Sequence, residues 1–209
     1  MTPIISRRHL FALVTAIAVP VVARAQDAAE VRQPVTDLYA TLEKLMRAGQ
    51  ATPFPERFGI LAPIIDRVYD LEAVLRVSVG ARWPTFDTQS RTTLAEAFRA
   101  FTVASFVANF DKYEGEKFEV LPDLRTVGSD QVVQTRIVSA SGEPIRLDYV
   151  MQSSEAGWRV TDVLLDGTIS RVAVQRSDFR ALLAHGDATA LIASLRRKVA
   201  HLSGGSMMS

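Results

Sequence analysis

Apolar residues recur along this chain with two periods. From residue 27 to about 113, and again from 175 to 203, they return every three or four positions, which puts them on one face of a helix. From 117 to 174 they alternate with polar residues, which suits strands with one buried face. The first helical stripe is Val31, Val35, Leu38, Leu42 and Leu45. Pro34 reads as marking the first turn of that helix, where no N–H is needed. Thr52-Pro53-Phe54-Pro55 breaks the chain. Phe58, Leu61, Ile65 and Val68 or Tyr69 then form a second stripe, and Pro63 is expected to bend or restart its helix. Asp70 suits the N-cap of a short helix over 71–79, with Gly80 as its stop. The segment 88–113 differs. Leu94, Phe98 and Phe101 lie on one face, and Val103, Phe106, Phe110 and Tyr113 on another. A helix with bulky apolar groups on two faces is either buried or lines a cavity.

The alternating half predicts strands at 117–121, 131–139, 145–153, 158–165 and 168–174. Ile145, Leu147, Tyr149 and Met151 face one way, and Arg146, Asp148 and Gln152 the other. Turns fall at Ser141-Gly142-Glu143, Glu155-Ala156-Gly157 and Asp166-Gly167, the last a strong hairpin signal. Consecutive hairpins build an antiparallel sheet with one apolar face. The closing helices carry Phe179, Leu182 and Leu183, then Leu191, Ile192, Leu195, Val199 and Leu202, with Gly186-Asp187 as stop and cap. Helices followed by a meander imply the α+β class: a curved antiparallel sheet packed on helices, with a helical N-terminal part. Such a half-open layer readily encloses an apolar cavity.

The N-terminus changes the picture. Arg7 and Arg8 make a basic start, 10–22 is an apolar run of 13 residues broken only by Thr15 and Pro20, and Ala23-Arg24-Ala25 is a small-x-small cleavage site. Residues 1–25 therefore read as a cleaved export signal, too short to be a permanent membrane span. Ser6-Arg7-Arg8-His9-Leu10-Phe11 also fits a twin-arginine signal, so both export routes stay open. On this reading the folded domain is 26–203, the mature protein is soluble, and 204–209 is a disordered tail. The formal charge of +1 falls to −2 once Arg7, Arg8 and Arg24 leave. No basic run remains to track phosphates, which argues against a nucleic-acid partner. Cysteine is absent, which excludes thiol catalysis and cysteine metal sites.

Catalytic chemistry finds little footing. His185 and His201 have no metal-spaced partner. Nucleophile-elbow, phosphate-loop and dinucleotide-binding motifs are missing. Asp148, Asp162 and Asp166 fall in adjacent predicted strands. Asp162, in register with Trp158 and Val160 and near Tyr149, has two readings. It is a buried general base, or it is a structural partner of Arg159, Arg171 or Arg176.

Two blocks of residues go beyond pattern. The first is Tyr69-Asp70, then Gly80, Trp83, Gln89, Phe98 and Tyr113-Glu114-Gly115. The second is Trp158-Arg159-Val160, Asp162-Val163, Asp166-Gly167, Ile169-Ser170, Arg176, Phe179 and Gly186. In order and spacing, over about 31–200, the chain resembles the MlaC-like (toluene-tolerance) family. Many phospholipid carriers of that family have Asn-Tyr-Arg where this chain has Val174-Gln175-Arg176. The run 166–176 looks more like the hopanoid-biosynthesis-associated branch.

The resemblance implies an NTF2-like curved sheet over helices and a deep apolar cavity between them. It implies a non-enzymatic periplasmic lipid carrier with phospholipid or hopanoid as ligand. Its partners would be an inner-membrane MCE/ABC lipid transporter and an outer-membrane acceptor, with only transient membrane contact and no cofactor or metal. Joined to the periodicity, it nominates a cavity wall. The sheet face would supply Leu147, Tyr149, Met151, Val163 and Leu165. The aromatic helix would supply Phe98, Phe101, Phe106 and Phe110, with Phe58, Ile65, Tyr69 and Trp83 closing the other side. Two other functions fit the same pattern: an enzyme acting on a terpenoid lipid, and a periplasmic adaptor whose apolar faces meet proteins.

Overall fold

The computed structural model describes residues 21–139 and 142–207, with side chains from residue 27 onward. The export signal read in 1–25 lies outside these residues, apart from the helical backbone of 21–25. Helices α1 (Val21–Ala48), α2 (Phe54–Val68), α3 (Leu71–Val79) and α4 (Thr88–Asn109) come first. Strands β1 (Lys117–Val127), β2 (Asp130–Val138), β3 (Ile145–Ser154), β4 (Gly157–Leu165) and β5 (Ile169–Ser170) follow, then α5 (Arg171–Leu182) and α6 (Thr189–Leu202). The strands pair in sequence order, every pair antiparallel, as consecutive hairpins require.

The stripe Val31, Val35, Leu38, Leu42 and Leu45 is buried against α2 and the sheet. Asp70 caps α3 by accepting from the Ala73 N–H at 2.9 Å, and Asp87 does the same for α4 through Ser90 at 2.7 Å. The Asp70 N–H reaches across to the Val160 carbonyl at 3.0 Å, fastening the α2–α3 corner to β4.

Four expectations differ from the structure. Pro34 lies inside α1 rather than in its first turn, and α2 runs through Pro63 without restarting. An interior proline costs about 3 kcal/mol. Burying two or three branched side chains of the same stripe, at about 1.5–3 kcal/mol each, outweighs it. α4 ends at Asn109, so Tyr113 lies beyond the helix, where the Arg47 guanidinium stacks over its ring at 4.0 Å. β1 runs past Pro122 because the ladder shifts register between Val120 and Leu124 and then resumes. The strand expected over 168–174 is only Ile169–Ser170, and α5 begins at Arg171. Of the tail read as disordered, residues 204–207 are described, in turns where the Ser206 hydroxyl donates to the Ser203 carbonyl at 2.7 Å.

The buried side chains form two clusters. One joins α1, α2, the sheet and the C-terminal half of α4 through Val103 and Val107. The other joins α3, α5, α6 and the N-terminal half of α4 through Leu94 and Phe98. Helix α4 thus serves both, which is why it carries bulky groups on two faces.

Candidate functional site

Where the two clusters meet, packing is incomplete. A cavity of about 350 Å³ opens there, walled by α4 on one side and the sheet on the other. Helix α4 contributes Phe98, Phe101 and Phe106, with Phe110 at its C-terminal cap, and the sheet contributes Leu147, Tyr149, Val163 and Leu165. Tyr69, Leu71 and Val74 close it from the α2–α3 corner. The sheet residues converge because register pairs Tyr149 with Val163 and Leu147 with Leu165. Aromatic contacts stiffen the wall: Phe106 meets Tyr69 edge-on at 5.8 Å and stacks on Phe110 at 6.0 Å.

Several polar groups in the wall are occupied within the protein, and Asn109 and Arg171 also line it. Thr102 donates its hydroxyl to the Phe98 carbonyl at 2.9 Å, and Ser105 donates to Phe101 at 2.8 Å. Both hydroxyls are spent on their own helix, so they add little polarity to the cavity. Burial pushes the Tyr69 and Tyr149 phenols up from their ordinary value, and both stay protonated at neutral pH.

Asp162 also lines the cavity, re-aimed by the register shift in the β3–β4 ladder. One carboxylate oxygen accepts from the Val163 N–H at 2.7 Å and the Val172 N–H at 3.1 Å. The other accepts from the Ser170 hydroxyl. Ser170 in turn caps α5 by accepting from the Ala173 N–H at 2.9 Å. The structural partners of Asp162 are thus the Val163 N–H of its own strand, the Val172 N–H in the first turn of α5 and the serine that caps α5, not Arg159, Arg171 or Arg176. Among the described residues no group of three metal-ligating side chains comes together.

Nine of the thirteen nominated residues therefore line one cavity. The other four do not reach it. Ile65 and Met151 are fully buried in the first cluster, Phe58 packs against that cluster, and Trp83 borders a separate charged cleft. An apolar periodic face cannot tell a wall from a filled core. The pattern misses Leu71, Val74 and the first turn of α5, where Val172 and Gln175 reach the cavity. The Gln175 side-chain oxygen accepts from the Ser78 hydroxyl at 3.2 Å.

A curved meander and a helical layer enclosing an apolar hollow define the architecture of a small-ligand binding protein. The sequence pattern of the MlaC protein family matches residues 35–197, and the chain belongs to that family. No curated protein matches it. Among solved structures, the phospholipid-binding protein from Ralstonia solanacearum, in complex with a phospholipid, superposes with a TM-score of 0.70. The two are 19% identical, and the match covers 85% of this chain and 98% of that one. At that identity the likeness is one of fold.

Proposed function

We propose that this protein is a lipid carrier that houses the apolar part of one lipid in the cavity between α4 and the sheet. The observation that carries the reading is the cavity itself, about 350 Å³ with phenylalanine, leucine and valine walls. Apolar space left unfilled forgoes packing contacts that side chains of the fold could make. An occupant accounts for it. Each methylene left in water costs about 0.8 kcal/mol, and a long chain therefore needs such a shelter to cross an aqueous compartment.

Membership of the MlaC family supports the reading, as does the phospholipid held by the similar Ralstonia solanacearum protein. The finer picture follows from the same family. After export the protein shuttles phospholipid or hopanoid through the periplasm, between an inner-membrane MCE/ABC transporter and an outer-membrane acceptor. Protein purified from its host, extracted with organic solvent and examined by mass spectrometry, should release about one lipid per chain. Lipid-free protein that also refuses added phospholipid and hopanoid would overturn the reading.

A further inference from the structure

Tyr69 lines the cavity and is only 7% exposed, yet among the described residues its hydroxyl has no hydrogen-bond partner. A buried polar group without a partner is rare and calls for a reason. Neighbouring hydroxyls are satisfied. Thr102 and Ser105 bond to carbonyls of their own helix. Tyr39 lies 2.6 Å from the Thr135 hydroxyl, which itself donates to the Leu147 carbonyl at 2.6 Å, so the Tyr39 proton goes to Thr135.

The Tyr69 oxygen is not sealed in the core, as the unpartnered Nε atoms of Arg57, Arg91 and Arg159 are. It therefore opens onto a hollow. Tyr69 borders two of them, the tail cavity and a charged cleft of about 570 Å³ on its other side. The groups that act on the phenol decide between them. Burial raises it most, followed by Tyr39 and Asp162. Asp162 lines the tail cavity, whereas the carboxylates of the cleft, Asp66 and Asp70, are not among these influences. The hydroxyl thus faces the tail cavity on the Asp162 side.

Asp162 also has capacity left. A carboxylate has about four acceptor positions, and the Val163 N–H, the Val172 N–H and the Ser170 hydroxyl take three. Among the described residues Tyr69 and Asp162 are not hydrogen-bonded to each other. A group between them meets a phenol that can donate and a carboxylate that can only accept. A methylene leaves both unmet. A phosphate or carboxylate is repelled by Asp162. An ammonium cannot accept from the phenol. A hydroxyl does both, donating to Asp162 and accepting from Tyr69.

We infer that the carried lipid has a hydroxyl on its apolar skeleton, held between the Tyr69 phenol and the Asp162 carboxylate. The inference rests on the carrier reading and narrows it to hydroxylated lipids. A site built to bond a ligand hydroxyl rejects the analogue that lacks it, because its own polar groups are then left unpaired.

The test compares matched pairs on delipidated full-length protein, below their aggregation thresholds: tetradecanoate with its 2- and 3-hydroxy derivatives, and diploptene with diplopterol. The wild type should bind at least one hydroxylated member about tenfold more tightly than its plain counterpart. Tyr69→Phe keeps the ring against Phe106 and should bind the members of that pair within about twofold of each other. Tyr113→Phe, beyond α4 under the Arg47 guanidinium, should keep the preference. Thermal melts confirm that each variant is folded. Equal binding within every pair by wild type, the result if water alone fills the corner, overturns the hydroxyl seat and leaves the carrier reading standing. A preference that survives Tyr69→Phe, or that Tyr113→Phe also abolishes, overturns it too. Wild type that binds none of these lipids and no phospholipid defeats the carrier reading itself.

Discussion

Phe106→Asp should reduce lipid loading by about a hundredfold or more, whereas Phe106→Leu should load within a few-fold of wild type. Phe106 sits in the cavity wall between Tyr69 and Phe110. An aspartate there keeps its charge by drawing water into the hollow. A lipid tail can enter only by stripping that water, and an uncompensated carboxylate resists desolvation by several kcal/mol. About 2.7 kcal/mol already amounts to a factor of a hundred. Leucine restores the apolar wall and loses only the ring contacts, about 0.5–1.5 kcal/mol each. Lipid titration on both variants, with thermal unfolding alongside, separates loss of loading from loss of fold. Undiminished loading by Phe106→Asp would remove this helix from the wall.

Arg146→Met should destabilise the protein by about 2–3 kcal/mol, a fall of roughly 5–10 °C in melting temperature. Asp148 is completely buried on the sheet face away from the cavity. It accepts two hydrogen bonds from Arg146, at 2.9 and 2.7 Å, and has Arg125 at 3.7 Å. Removing Arg146 leaves a buried carboxylate with one distant partner. The guanidinium is half-exposed, which keeps the loss below the 3–5 kcal/mol of a wholly buried pair. Arg146→Met/Asp148→Leu should recover most of the stability, because no charge is then left unpaired. Gly167→Ala strikes the same pair from the turn: the backbone there has φ +72°, and a Cβ would stand 2.9 Å from the Arg146 guanidinium carbon. Thermal melts of the three variants beside the wild type check this, and an Arg146→Met protein as stable as wild type would contradict it.

The legible parts of the fold are those fixed by local chemistry. The stripe from Val31 to Leu45, the Asp70 cap and the Asp166-Gly167 hairpin each need only neighbours a few residues away. The family motifs also acquire reasons. Arg176 from the second block lies on Gly80 from the first, so that a Cβ at Gly80 would stand 3.3 Å from its guanidinium. What escapes the pattern depends on distant contacts. Val172 and Val174 favour a strand locally, but Asp162 and Ser170 take the first N–H groups of the segment and start a helix instead. Pro122 reads as a strand end until the partner strand absorbs it in a register shift. Alternation on β3 marks Leu147, Tyr149 and Met151 alike, yet only the first two reach the cavity. Met151 lies where Val160 and α2 have already filled the space. Whether an apolar side chain meets another side chain or an empty hollow is decided by the packing of α4 between two clusters, which no single segment encodes.

The central claim is tested most directly by a crystal structure of the protein saturated with phosphatidylglycerol. Continuous density for an alkyl chain should run between Phe106 and the Leu147–Tyr149 strand. A saturated crystal in which the phenylalanines of α4 close onto the sheet, with lipid absent or bound elsewhere, would contradict the account.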